Sequence, residues 1–111
     1  MRLLFVLSCI ALASCAEPSV IETVNMQVNH DHAYQNYAAN DYRPMKQGEG
    51  GNCARFAATK QAELAKRGIS SAILKCRLHD GQGHAYVFTQ TGQVLDNRFD
   101  YPITLAQVGC Q

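Results

Sequence analysis

The sequence predicts an α+β domain, with helices first and an antiparallel meander of strands after them. Apolar residues recur at helical spacing in the first half of the chain, as in Ile21, Val24 and Val28. After Gly68 the period changes from about 3.6 to 2, and Ala72, Leu74, Cys76 and Leu78 alternate with Ile73, Lys75, Arg77 and His79. Gly-rich turns then separate short apolar runs, as antiparallel neighbours require.

Residues 1–14 read as a signal peptide. Met1 and Arg2 form a short positive region, and an apolar run from Leu3 to Leu12 follows. That run is shorter than the roughly 20 residues that span a bilayer core of about 30 Å. The ending Leu12-Ala13-Ser14-Cys15 resembles a bacterial lipobox. The resemblance implies cleavage before Cys15, acylation of that cysteine and a lipid-anchored tether over 15–19. Ala16 in the next position, where Asp would signal retention, implies the outer membrane with the chain facing the periplasm. A plain signal peptide cut at Ser14 or Ala16 is the alternative.

The remaining domain, 20–111, opens with a helix expected from Pro18 to about Tyr37. Asn40 to Gly51 is loop, broken by Pro44, Gly48, Gly50 and Gly51. A second helix is expected from Cys53 to about Arg67. Asn52 is its N-cap, Lys66 and Arg67 lie in its last turn, and Gly68 lies just past its end. Cys53, Phe56, Ala57 and Leu64 share its apolar face, and Lys60, Lys66 and Arg67 read as its wet face. Asp80-Gly81-Gln82-Gly83 turns the first strand into a second, His84 to Gln90. Thr91-Gly92 then turns into a third, Gln93 to Phe99.

Ten Lys and Arg against nine Asp and Glu give a net charge of +1, with no basic stripe along the 111 residues. Nothing here argues for a nucleic-acid partner. Of the five cysteines, Cys9 belongs to the signal and Cys15 to the lipid. Cys53, Cys76 and Cys110 are left, an odd set that in an oxidising compartment reads as one disulfide and one free thiol. If Cys53 is the free one, Cys76–Cys110 is the bridge; spacing alone leaves the connectivity open.

Cys53 is the candidate nucleophile. A thiolate is the reactive form, and a helix N-terminus or a neighbouring imidazolium lowers the thiol pKa. The glycines before Cys53 read as room for a substrate and as backbone N–H groups for an oxyanion. His84 follows a Gly-rich turn and is the candidate base. Asp96, in the facing strand, is the candidate carboxylate that orients it, with Asn97 as its competitor. His30-x-His32 reads as a solvated stretch and His79 as an exposed strand residue.

Gly50-Gly51-Asn52-Cys53-Ala54-Arg55-Phe56-Ala57, then Lys60, Leu64 and Gly68, then Gly83-His84, then Val94-Leu95-Asp96-Asn97, resemble the bacterial transglutaminase-like cysteine peptidases. Val24-Asn25 and Val28-Asn29 resemble that family's upstream helix. The resemblance implies a papain-like core and a thiol hydrolase with Cys53 as nucleophile, His84 as base and acid, and Asp96 as orienting residue. Gln47, six residues before Cys53, has a spacing that resembles the oxyanion glutamine of papain. Adhesin-clipping members of the family bind calcium through acidic residues beside the nucleophile. Asn52, Ala54 and Arg55 stand there instead, so no metal and no cofactor is expected. The implied substrate is a protein or peptide of the bacterial envelope. Two alternatives are an acyl-transferring transglutaminase and a non-catalytic binding lipoprotein on the same scaffold.

Overall fold

Ser19 caps the first helix. In the computed structural model, which describes residues 19–36 and 40–111, helix α1 spans Val20–Asp31. The Ser19 hydroxyl accepts the backbone N–H of Glu22, and the Glu22 carboxylate accepts that of Ser19, a capping box that satisfies two orphan donors. The helix ends earlier than its apolar pattern implied. His32 is extended, and the chain from Ala33 to Gln35 runs beside Gly51 instead: Gln35 N–H donates to Gly51 O at 2.9 Å and Gly51 N–H to Ala33 O at 3.1 Å. Residues 1–18, with the signal peptide, Cys15 and most of the tether, lie outside the described residues, as does Tyr37.

Helix α2 spans Cys53–Lys66, and the Asn52 side chain accepts the N–H groups of Ala54 and Arg55 as its cap. Gly68, at φ +76°, takes the left-handed conformation that lets the N–H groups of Gly68 and Ile69 return to the carbonyls of Ala65 and Leu64. One face differs from its sequence reading. Lys60 has no exposed surface, and its Nζ donates to Asn25 Oδ1 at 2.8 Å. Helix α1 lies over α2 at Lys60, so that position is interhelical, whereas Lys66 and Arg67 are exposed as expected.

Among the described residues the strands are β1 (Ser71–Arg77), β2 (Gly83–Thr89) and β3 (Val94–Leu95), antiparallel in the order β1-β2-β3. Strands β1 and β2 pair along their full length, from Ser71 opposite Thr89 to Arg77 opposite Gly83. Strand β3 is only two residues long, not the run to Phe99 that the pattern suggested. Val94 pairs with Phe88 on one side and exchanges hydrogen bonds with Ile103 on the other. The chain then turns at Asp96, whose carbonyl accepts the N–H of Phe99.

Both faces of the sheet are covered. Ala85, Val87, Leu95 and Ile73 pack with Val24, Val28, Phe56 and Leu64 of the helices. Ile73, which alternates with Leu74 along β1, faces the helical core. Leu74, Cys76, Tyr86 and Val94 pack on the other face against Ile103 and Val108, the latter on a 3-10 turn at Leu105–Val108. The Cys76–Cys110 disulfide joins β1 to this C-terminal segment, with Cα atoms 5.8 Å apart and 34 residues between them in sequence. Closing a loop of that length stabilises a fold by about 4 kcal/mol on the chain-entropy account. Cys53 is the free thiol among the described residues.

Candidate active site

The packing of α2 on β2 brings the first residue of the helix to the start of the strand. Cys53, half-buried, stands at the positive end of α2, where the helix dipole favours an anion. The backbones of Ala85 and Ala54 and the His84 side chain all hydrogen-bond to its sulfur. Burial pushes the Cys53 thiol up, but these contacts and the His84 charge outweigh it, and the pKa is lowered overall.

His84 is buried, and its Nε2 lies 2.9 Å from Asp96 Oδ2. Its other ring nitrogen, Nδ1, is therefore the one that meets the thiol. Burial pulls the imidazole pKa down, but the hydrogen bonds to Asp96 and Cys53 raise it to about 9. Asp96 has a side chain with no solvent exposure, which by itself would push its pKa up. Hydrogen bonds from His84 and Arg98 hold it well below the usual carboxylate range instead. The arrangement favours a thiolate beside an imidazolium beside a carboxylate. Asn97, the competitor, does not take the His84 nitrogen; its Oδ1 is buried without a hydrogen-bond partner.

Three supports behind this line were not read from the sequence. Arg98 grips Asp96 from the far side, with Nε on Oδ1 at 3.0 Å, a terminal nitrogen on Oδ2 at 2.7 Å and its backbone N–H on Oδ1 at 2.9 Å. Its spacing of two from Asp96 was the available signal, a short Asp-x-Arg turn. Asn25 and Asn29 of α1 both donate to Phe99 O, at 3.0 and 2.8 Å, and so tie α1 to the turn that follows Asp96. Lys60 completes that buried set through Asn25. Burial drops its pKa to about 7, against the pull of Asp96 and Asp100.

Tyr34 is the third support. The backbone N–H of Cys53 donates to its hydroxyl oxygen, and burial together with the Cys53 charge raises the phenol pKa. The parallel bridge between Tyr34 and Gly51 holds it there. Gln47, expected in the oxyanion role, is placed elsewhere: it lines a separate cavity with Val24, Met45 and Thr59. The glycines before Cys53 also serve the protein interior, contrary to their sequence reading. A Cβ on Gly50 would lie 2.5 Å from Ala33 O, and one on Gly51 would lie 2.7 Å from Arg55 Cβ. The Gly51 N–H is spent on Ala33 O and is not available to an oxyanion.

Arg55 explains the second close approach. Its buried guanidinium donates to Arg43 O at 3.0 Å, Pro44 O at 3.2 Å and Glu49 Oε1 at 2.9 Å, which fastens the loop ahead of the helix. The oxygen-rich spot beside the nucleophile is thus filled by a cation that belongs to the chain. Its donors do not fit a bound calcium ion, since the guanidinium already takes them. His30 and His32 have partners of their own, Asp100 Oδ2 at 2.7 Å and Glu49 O at 2.6 Å. Among the described residues no group of three or more His, Cys, Asp or Glu side chains is placed to hold a metal.

The thiol opens into a cavity of about 460 Å³ walled by Tyr34, Asn52, Lys75, Arg77 and His84 among others. A larger one of about 660 Å³, between α2 and the start of β1, has Tyr42 as its one ionisable side chain among the described residues.

No protein-family model matches the sequence, and no curated protein matches it. Among solved structures the chain is similar to calcium-bound LapG of Legionella pneumophila, with a TM-score of 0.61 and 18% identity over 82% of this chain and 60% of that one. The shared feature is the fold, a papain-like α+β core. The chain spans 60% of the LapG chain.

The Asp96 carboxylate sets the His84 pKa, so removing its charge reverses the balance in favour of burial. In a two-dimensional NMR titration the wild-type imidazole is expected to deprotonate near pH 9. In Asp96→Asn it should do so at least one unit lower. The sign for stability follows: the contribution of His84 is complete below its ordinary pKa and fades as pH rises through about 9. That of Asp96 is complete above the ordinary carboxylate range and fades in acid. Equal titration in the two proteins would show that the carboxylate does not govern the ring.

Proposed function

We propose that this chain is a thiol-dependent hydrolase, a cysteine peptidase or amidase that acts on a protein or peptide of the bacterial envelope. The observation that carries this reading is the continuous line from Cys53 through His84 to Asp96, with the thiol at a helix N-terminus and open to a cavity. A structural cysteine has no need of that line, because a buried thiol is stable without a base.

The chemistry follows from the geometry. The Cys53 thiolate attacks the amide carbonyl and forms a carbon–sulfur bond. The negative charge that develops on the carbonyl oxygen is received by the Tyr34 O–H, whose oxygen is held beside the thiol by the Cys53 N–H. His84 gives the proton on Nδ1 to the leaving amine as the carbon–nitrogen bond breaks. The ring, now neutral, takes a proton from water, and hydroxide attack on the thioester breaks the carbon–sulfur bond, releases the acid and restores the thiolate beside the imidazolium. An amine in place of water would give a transglutaminase. The motifs resemble peptidases, which favours water.

The rival reading is a non-catalytic binding lipoprotein. It draws on Asn52, Ala54 and Arg55 beside the nucleophile. The intact hydrogen-bonded line speaks against it. We extend the proposal to a lipid anchor at Cys15 that holds the chain at the periplasmic side of the outer membrane. Radiolabelled palmitate should label the wild type and not Cys15→Ser; equal labelling would remove the anchor from the account.

Turnover tests the chemistry. Release of new N-termini from a pool of envelope peptides should be abolished in Cys53→Ser. In Tyr34→Phe, kcat should fall about 100-fold with KM little changed, the usual cost of one oxyanion donor. Wild-type turnover in Tyr34→Phe would exclude the phenol from the oxyanion site, and turnover in Cys53→Ser would exclude the thiol mechanism altogether.

A further inference from the structure

The cavity in front of Cys53 is charged on one wall. Lys75 and Arg77 occupy alternate positions of β1, so they share one face of the strand, and both line the cavity. The facing wall is uncharged, made of Tyr34, Tyr42 and neighbouring asparagines, and no Asp or Glu among the described residues lines the space. The carboxylates in the surrounding loops are engaged elsewhere. Arg43 holds Asp41 with three hydrogen bonds, the N–H of Gln82 donates to Asp80 Oδ1, and Asp96 is enclosed by His84 and Arg98.

Neither cation takes part in an ion pair among the described residues. The Lys75 ammonium rests over the Tyr42 ring, 5.7 Å from its centre, and so reaches from one wall toward the other. Arg77 donates one N–H to Gly81 O at 2.7 Å, and a guanidinium carries five such donors. Both side chains are exposed at the surface of the groove. Two cations without a counter-carboxylate in a concave site attract anions, and a guanidinium binds a carboxylate in two-point fashion.

We propose that the groove selects peptides with an acidic side chain, Asp or Glu, close to the amide that Cys53 attacks, the carboxylate being held by Lys75 and Arg77. This names the substrate class of the hydrolase described above and rests on that reading.

A pair of alkylating reagents tests the groove without a known substrate. Iodoacetate and iodoacetamide attack the same sulfur and differ in charge. The ratio of their rates within one protein cancels any change in the thiolate fraction. In the full-length chain this ratio should exceed that of the Lys75→Gln/Arg77→Gln double variant by on the order of fivefold at low salt, and the gap should narrow in concentrated salt. A second arm digests a pool of proteome-derived peptides and maps the cuts by mass spectrometry. Wild-type cuts should be enriched in Asp or Glu at a fixed offset from the broken bond, and the double variant should lose that enrichment. An unchanged ratio, or cuts with no acidic preference, overturns the acidic-peptide assignment. A shifted ratio with no cutting by wild type places the failure in the hydrolase reading instead, and the assignment falls with it.

Discussion

A carboxylate closed off from solvent must be surrounded by donors, and the arrangement around Asp96 follows from that requirement. Its side chain, with no exposure, meets His84 on one side and the fork of Arg98 on the other. The turn that presents it is held by Asn25 and Asn29 reaching across from α1. Asp96 in turn fixes which nitrogen of His84 faces the thiol and keeps that ring protonated. Remove the carboxylate, and the guanidinium and the imidazole each lose the partner that sets their orientation.

The nucleophile is placed by a different set of contacts. Cys53 sits where it does because α2 begins there, and α2 begins there because Asn52 caps it and Arg55 anchors the preceding loop. Gly51 permits the close approach of Arg55, and its backbone pairs with the strand-like segment that carries Tyr34. The same few residues therefore position the thiol, the phenol beside it and the mouth of the cavity. In this chain a guanidinium fastens the loop next to the nucleophile, through the carbonyls of Arg43 and Pro44 and the carboxylate of Glu49.

Much of this was legible in the sequence wherever the signal was local. The Asn52 cap, the Gly68 end of α2 and the hairpin turns follow from residue types at fixed offsets, and the structure has them. What failed was long-range. The first helix stops at Asp31 because its continuation pairs with Gly51, a contact no window of sequence shows. Lys60 looks wet by spacing and is buried because α1 lies across it. Ile73 lies in the helical core because the sheet is covered on both faces, and one period-2 pattern cannot reveal two cores. Gln47 had the right spacing along the chain and the wrong position in space. Tyr34 had no motif at all, since its role depends on a bridge between two loops.

His84 and a helix N-terminus together bring the Cys53 pKa below that of an ordinary thiol. The rate of alkylation by iodoacetamide, followed across pH, tests this directly. The wild-type profile should rise well below the ordinary thiol range near 8.5, and His84→Ala should lose that low-pH reactivity. Ordinary-thiol profiles in both proteins would contradict the account.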